Sequence, residues 1–185
     1  LAKTGITPAF LAVPGNHDLM RPRKEDPWYD SYQVVRDKWN RDEETRNNIW
    51  KKKTDTGTWK LIQSVFNNYT GWWKDTARSF PRPSGIIDGL LPGDFAYTIE
   101  KKGYKIGITG LNTAFLHLGD GARGNLDLHP AQLTSLFGRR HDDWIDAHDM
   151  CFLLTHHPIS WLSGRGKTEY NRDVAPAGRF LLHLC

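Results

Sequence analysis

The chain has 185 residues, 38% of them hydrophobic and 25% charged, which suits one globular domain with a sizeable core. Its 25 basic and 21 acidic side chains leave a net charge of +4, compatible with an anionic substrate and too weak to name nucleic acid as a partner. No apolar run approaches the ~20 residues of a membrane helix, so no membrane partner is expected.

Two cysteines, Cys151 and Cys185, lie far apart in no framework pattern, which points to a reducing, cytoplasmic setting. The chain begins at Leu1 without a Met and stops inside an apolar run, RFLLHLC. Both ends therefore read as cut.

In chain order, AFLAV (9–13) is a continuous apolar run closed by Pro14-Gly15, which predicts a buried, parallel strand. Asn16, His17 and Asp18 stand at its end, followed by a polar loop, RPRKEDP. Asp26 occupies the place of a helix N-cap, with Pro27 at the first helical position. Trp28, Tyr32, Val35 and Trp39 then follow at spacings of four, three and four, one stripe of a helix. A second stripe runs through Trp59, Ile62, Phe66, Tyr69 and Trp73, and the polar stretches RDEETRNN and KKKTDTGT lie between the two. Residues 21–85 thus read as a mostly helical, Trp-rich insertion closed by FPRPSG. Helical spacing favours stripes that pack on each other and on the main domain. The other reading is a cap over a site, in which Arg21, Arg23, Lys51, Lys52 and Lys53 attract an anion or an aromatic face stacks a base.

The period then changes. Phe95, Tyr97 and Ile99 alternate with polar residues, and Tyr104, Ile106 and Ile108 do the same after Lys101-Lys102-Gly103, which predicts a β-hairpin. HPAQLTSLF (129–137) predicts a short helix with Pro130 near its start. MCFLLT (150–155) reads as a second buried strand that runs directly into His156-His157-Pro158. SGRGKT (163–168) is close to a phosphate-binding P-loop, but Trp161 stands where the first glycine is required and EYNRDVAPAG reads as a loop. A surface or active-site loop is expected there.

Two polar clusters therefore each follow a buried strand, with Asn16 and His156 separated by 140 positions. In open α/β sheets the crevice beyond the carboxyl ends of the strands is where ligands bind. An Asn amide oxygen is a neutral, hard ligand, and imidazole suits zinc, iron or manganese. His17 beside Asp18 is similar to an acid–base pair, in which a carboxylate orients the imidazole and favours its protonated form. Such an imidazolium can give its proton to a leaving oxygen. A plain turn with Asp18 as a cap explains Pro14 and Gly15 but gives no reason for His17.

VPGNHD followed by LLTHHP resembles the third and fourth signature blocks of the calcineurin-like metallophosphoesterases. That family's pattern runs D-x-H, G-D-x-x-D, G-N-H-[DE], a strand ending in His, and G-H-x-H. The resemblance implies an α/β fold, a β-sandwich flanked by helices, and two divalent metal ions (Mn, Fe or Zn). It also implies hydrolysis of a phosphate ester substrate, a phosphomonoester or a phosphodiester. Carried over position by position, Asn16 and His156 would be metal ligands, and His17 would act on the phosphate and leaving group. Asp18 would orient His17, and His157 would stand behind the metal ligands.

The first two blocks do not precede Asn16 and the last does not follow Cys185. The chain therefore looks like the middle of such a domain, expected to be inactive alone and to act within a longer parent chain with further domains. Four lookalikes are rejected. Asp127-Leu128-His129 and Asp146-Ala147-His148 spell D-x-H but come too late, while Gly119-Asp120 and Gly93-Asp94 meet Arg123 and Tyr97 where a second Asp belongs. The competing expectation is a catalytically dead phosphoesterase-like scaffold whose Trp-rich insertion binds a protein or nucleic acid.

Overall fold

The computed structural model describes residues 10–50, 57–76, 80, 83–117 and 121–185. Alternation of side chains over 95–110 produces the hairpin expected of it. Strands β2 (Phe95–Lys101) and β3 (Tyr104–Gly110) pair antiparallel from Phe95↔Gly110 to Lys101↔Tyr104. Lys102 and Gly103 turn the chain with φ of 52° and 84°, the two left-handed residues that a two-residue hairpin loop requires. The short β1 (Ile87–Asp88) adds antiparallel to the outer side of β2.

On the other side the sheet changes sense. β4 (Met150–Leu154) lies parallel to β3, and β5 (Leu182–Leu184) lies parallel to β4. The result is one five-stranded mixed sheet in the order β1-β2-β3-β4-β5. Parallel neighbours need crossovers. The one from β3 to β4 carries α5 (Pro130–Phe137) and α6 (His141–Asp146). That from β4 to β5 carries α7 (Gly164–Glu169), which continues into a wider helical turn over Tyr170–Val174. The fold is mixed α/β, with the carboxyl ends of β3 and β4 side by side where Gly110 pairs with Leu154.

The described part of residues 21–85, expected to be an insertion, is mostly helical, and among the described residues it precedes every strand of the sheet. Helix α1 (Tyr29–Trp39) buries Tyr32, Val35 and Trp39, the stripe expected from their spacing. Its start differs from expectation: Trp28 occupies the cap position without a side-chain cap. Asp26 instead closes the preceding loop, its carboxylate accepting from the Arg23 amide at 2.6 Å. Most of RDEETRNN, read as a polar connection, is α2 (Glu43–Trp50), which buries Arg46, Ile49 and Trp50. The second stripe is two helices, α3 (Gly57–Val65) and α4 (Asn67–Thr76). The break has a cause. The Val65 carbonyl, which a continuous helix would offer to Tyr69, accepts instead from the Met20 amide at 2.7 Å.

Two further expectations are corrected. Residues 10–13 form no strand, and Ala9 lies outside the described residues. The segment is fixed by side chains instead of a ladder: Tyr69 Oη donates to the Ala12 carbonyl at 2.8 Å, and Phe10 packs on Trp72 and Trp73. SGRGKT is no loop, because Ser163 Oγ accepts from the Gly166 amide at 3.0 Å and caps α7, which buries Glu169.

Insertion and sheet share one core. Trp39, Trp50 and Phe115 meet edge to face with centroids 5.2 to 5.7 Å apart. Beside them Arg46, 1% exposed, forks onto Asp127 and Glu169, and Trp39 Nε1 donates to Asp127 at 2.8 Å. Arg165 extends this network to Glu43 on α2. Among the described residues no helix is long and apolar enough to cross a membrane. Both cysteines are free, Cys151 buried and Cys185 exposed.

Candidate functional site

The turn that carries Asn16 is held at both ends. Gly15 N donates to Asp18 Oδ2 at 2.7 Å, Asp18 N returns to the Gly15 carbonyl, and Leu19 is buried. Asp18 thus acts as the clasp of its own turn. Its carboxylate lies on the Gly15 amide and not on His17, so the expected orienting bond is replaced by a local one. His17 is exposed and makes no hydrogen bond among the described residues.

The strand β4 delivers the second cluster. Past Leu154, Thr155 donates its amide to Leu184, and its hydroxyl bridges to the His157 carbonyl and His183 Nε2. His156 then projects outward and His157 inward. His156 Nε2 lies 3.0 Å from Asn16 Oδ1, a contact between segments 140 residues apart. Gly15 makes this approach possible, because a Cβ there would sit 2.8 Å from His156 Cε1.

Behind His156 the polar groups are engaged with one another. His157, 4% exposed, packs edge to face on His156 with centroids 4.7 Å apart. Its Nδ1 meets Thr113 Oγ1 at 3.1 Å and its Nε2 meets His117 Nδ1 at 2.9 Å. Burial, reinforced by the neighbouring His156 and His117, pushes His157 down to about 3, so it is neutral at neutral pH. His117 is lowered chiefly by burial and then by Arg21. His156 is also lowered chiefly by burial, against the opposing charge of Asp18. Because Asn16 Oδ1 only accepts, the Nε2 that faces it donates, and the neutral ring's lone pair sits on Nδ1.

His117 was not singled out by the sequence. It lies seven residues past Gly110, and only the parallel pairing of β3 with β4 brings it beside His157. Alternation along a strand carries no information about which strand lies next to it.

The rejected lookalikes have structural work. Asp127 belongs to the Arg46 network. His148 bonds the Trp144 carbonyl and Thr98. Asp94, fully buried, accepts from Asn112 N, Gln132 Nε2 and Leu91 N. Asp120 lies outside the described residues.

The donor chemistry can be tested against a divalent ion. Two ligands at ~2.1 Å from one ion and at right angles around it are ~3.0 Å apart. Asn16 Oδ1 and His156 Nε2 have that separation. The contact is a hydrogen bond as it stands, and the two atoms fit as one edge of a coordination shell once an ion displaces the Nε2 proton. No group of three or more His, Cys, Asp or Glu among the described residues is placed to hold a metal, so these residues supply that edge alone. No family model, no curated protein and no solved structure matches this chain.

Proposed function

We propose that the Asn16–His156 pair is part of a metal-dependent phosphoesterase centre that hydrolyses a phosphomonoester or phosphodiester. The observation that supports this is the 3.0 Å contact between two polar clusters 140 residues apart, on a turn and a strand end. Asn16 and His156 would hold divalent metal (Mn, Fe or Zn). Bound, a pair of such ions supplies a hydroxide nucleophile and offsets charge on the phosphate.

Three further residues of the chain have roles beside the metal. His17, exposed at the mouth of the turn, gives a proton to the leaving oxygen. Asp18 fixes the turn that presents it, through the Gly15 amide. His157, locked between Thr113 and His117, lies edge to face behind the His156 ring. The further ligands such a centre needs would come from outside the described residues, and the second sheet of a metallophosphoesterase sandwich belongs to the same reading.

The test uses the full-length polypeptide with Mn²⁺ and two probes, p-nitrophenyl phosphate and its bis ester. His17→Ala is expected to lower kcat by ~10²–10⁴ at unchanged metal content. Asn16→Ala and His156→Ala are expected to lower the bound metal itself. A protein that holds metal but turns over neither ester would overturn the reading and favour the scaffold alternative.

A further inference from the structure

A cavity of about 400 Å³ opens beside the Asn16–His17 turn, lined by Met20, Arg21, Arg23, Asp26, Trp28 and Asn68. Arg21 belongs to both places. It lines the cavity, and its Nη2 reaches the Asn16 carbonyl at 3.4 Å. Arg21 and Arg23 make no ion pair among the described residues. The one carboxylate in the wall, Asp26, already accepts from the Arg23 amide at 2.6 Å. The same wall holds Met20 and the half-buried Trp28, whose ring is steadied edge to face by Tyr32 at 6.3 Å.

Unpaired guanidinium beside an indole and a thioether is a combination that suits an anion carrying a flat apolar group. The volume is at the small end for ligand pockets, enough for one nucleotide-sized molecule and too small for a strand or a folded partner. We propose that this cavity is the subsite for the organic half of the substrate: Arg21 holds a non-bridging oxygen of a phosphate ester while Met20 and Trp28 take its aromatic or nucleobase group. The inference rests on the phosphoesterase reading for its reaction, but the binding itself needs no metal.

The binding is measured by calorimetric titration of the 185-residue chain in excess chelator, with adenosine 5′-monophosphate, ribose 5-phosphate and inorganic phosphate as probes. The nucleotide is expected to bind about tenfold or more tighter than ribose 5-phosphate. Arg21→Ala, an exposed position whose loss spares the core, is expected to weaken both by about tenfold. Trp28→Leu is expected to erase the preference for the nucleotide and leave ribose 5-phosphate unchanged. Equal affinity for the two esters, no binding of the nucleotide at millimolar concentration, or wild-type affinity in Arg21→Ala would each overturn the proposal. The two readings fail separately. Specific nucleotide binding in a protein that hydrolyses no ester leaves the subsite and removes the reaction, whereas hydrolysis with an unaltered KM in Arg21→Ala removes only the subsite.

Discussion

Arg46 and Arg21 both belong to the helical insertion, and their surroundings could hardly differ more. Arg46 is 1% exposed and makes four hydrogen bonds to Asp127 and Glu169, which the sheet's crossovers supply. Arg21 is exposed and has one contact of 3.4 Å to a carbonyl. Around Arg46, polar atoms satisfy one another and close the seam between insertion and sheet. Around Asn16, His17 and Arg21, polar atoms point outward with capacity left over. Burial with pairing makes a fastener, and exposure without pairing makes a surface that can meet a ligand.

The largest expected effect comes from breaking the fastener. Arg46→Met would leave the Asp127 carboxylate, at 1% side-chain exposure, without its cation, and Glu169, at 11%, with Arg165 alone. Unfolding in urea is expected to show a loss of about 3–5 kcal/mol. Adding Asp127→Asn should restore part of it, because the penalty lies in the unpaired Asp127 charge more than in the missing bonds, while Glu169 keeps Arg165. A loss below about 1 kcal/mol in the single variant would show that the aromatic contacts of Trp39, Trp50 and Phe115, with the Arg165–Glu43 pair, hold the seam without Arg46.

How much of this contrast was legible beforehand follows from which interactions are local. The hairpin, α5 and the α1 stripe were readable because each rests on periodicity within a few residues. The α2 helix was not, because its sequence is polar and its burial depends on Asp127 and Glu169, which lie 81 and 123 positions away. The break at Phe66 was hidden for the same reason, since it needs the Met20 amide. At the site, Asn16, His17 and His156 could be named from their motifs. Asp18's clasp on Gly15 was legible only as the plain-turn alternative, and His117 not at all.

A smaller effect separates the two regions by pH. His129 caps α5 through Nδ1, which accepts from Ala131 N at 3.0 Å, while its ring stacks on Trp50 with centroids 4.7 Å apart. Burial first, and then the Arg46 charge, push it down to about 4. The unfolded chain binds that proton with a value near 6.5. The stability it contributes is therefore present above pH ~6.5 and is lost as pH falls toward 4. Allowing for its partial exposure, thermal unfolding should reveal a loss of about 1–2 kcal/mol between pH 6.5 and 4.5. His129→Asn keeps a cap acceptor without the titration, so its curve should fall less steeply. Parallel curves for the two proteins would mean that the cap tolerates the imidazolium.

The smallest effect on stability is also the most telling about the open cluster. Gly15 has a backbone any residue can adopt, yet a Cβ there would lie 2.8 Å from His156 Cε1 and 2.9 Å from its Nδ1. Because His156 is exposed, its ring can swing into solvent and relieve the clash at little cost. Gly15→Ala should therefore change the unfolding free energy by less than about 0.5 kcal/mol. The same swing separates His156 Nε2 from Asn16 Oδ1, whose 3.0 Å contact depends on the ring lying over Gly15. The side-chain amide signal of Asn16 and the imidazole signals of His156 should both shift in heteronuclear spectra, His157 should follow as it loses its edge-to-face neighbour, and those of His117 should move least. Unchanged His156 signals would mean that the ring does not rest on Gly15. A stability loss as large as that of Arg46→Met would mean that the turn is as tightly bound into the core as the fastener is, and the contrast between the two regions would dissolve.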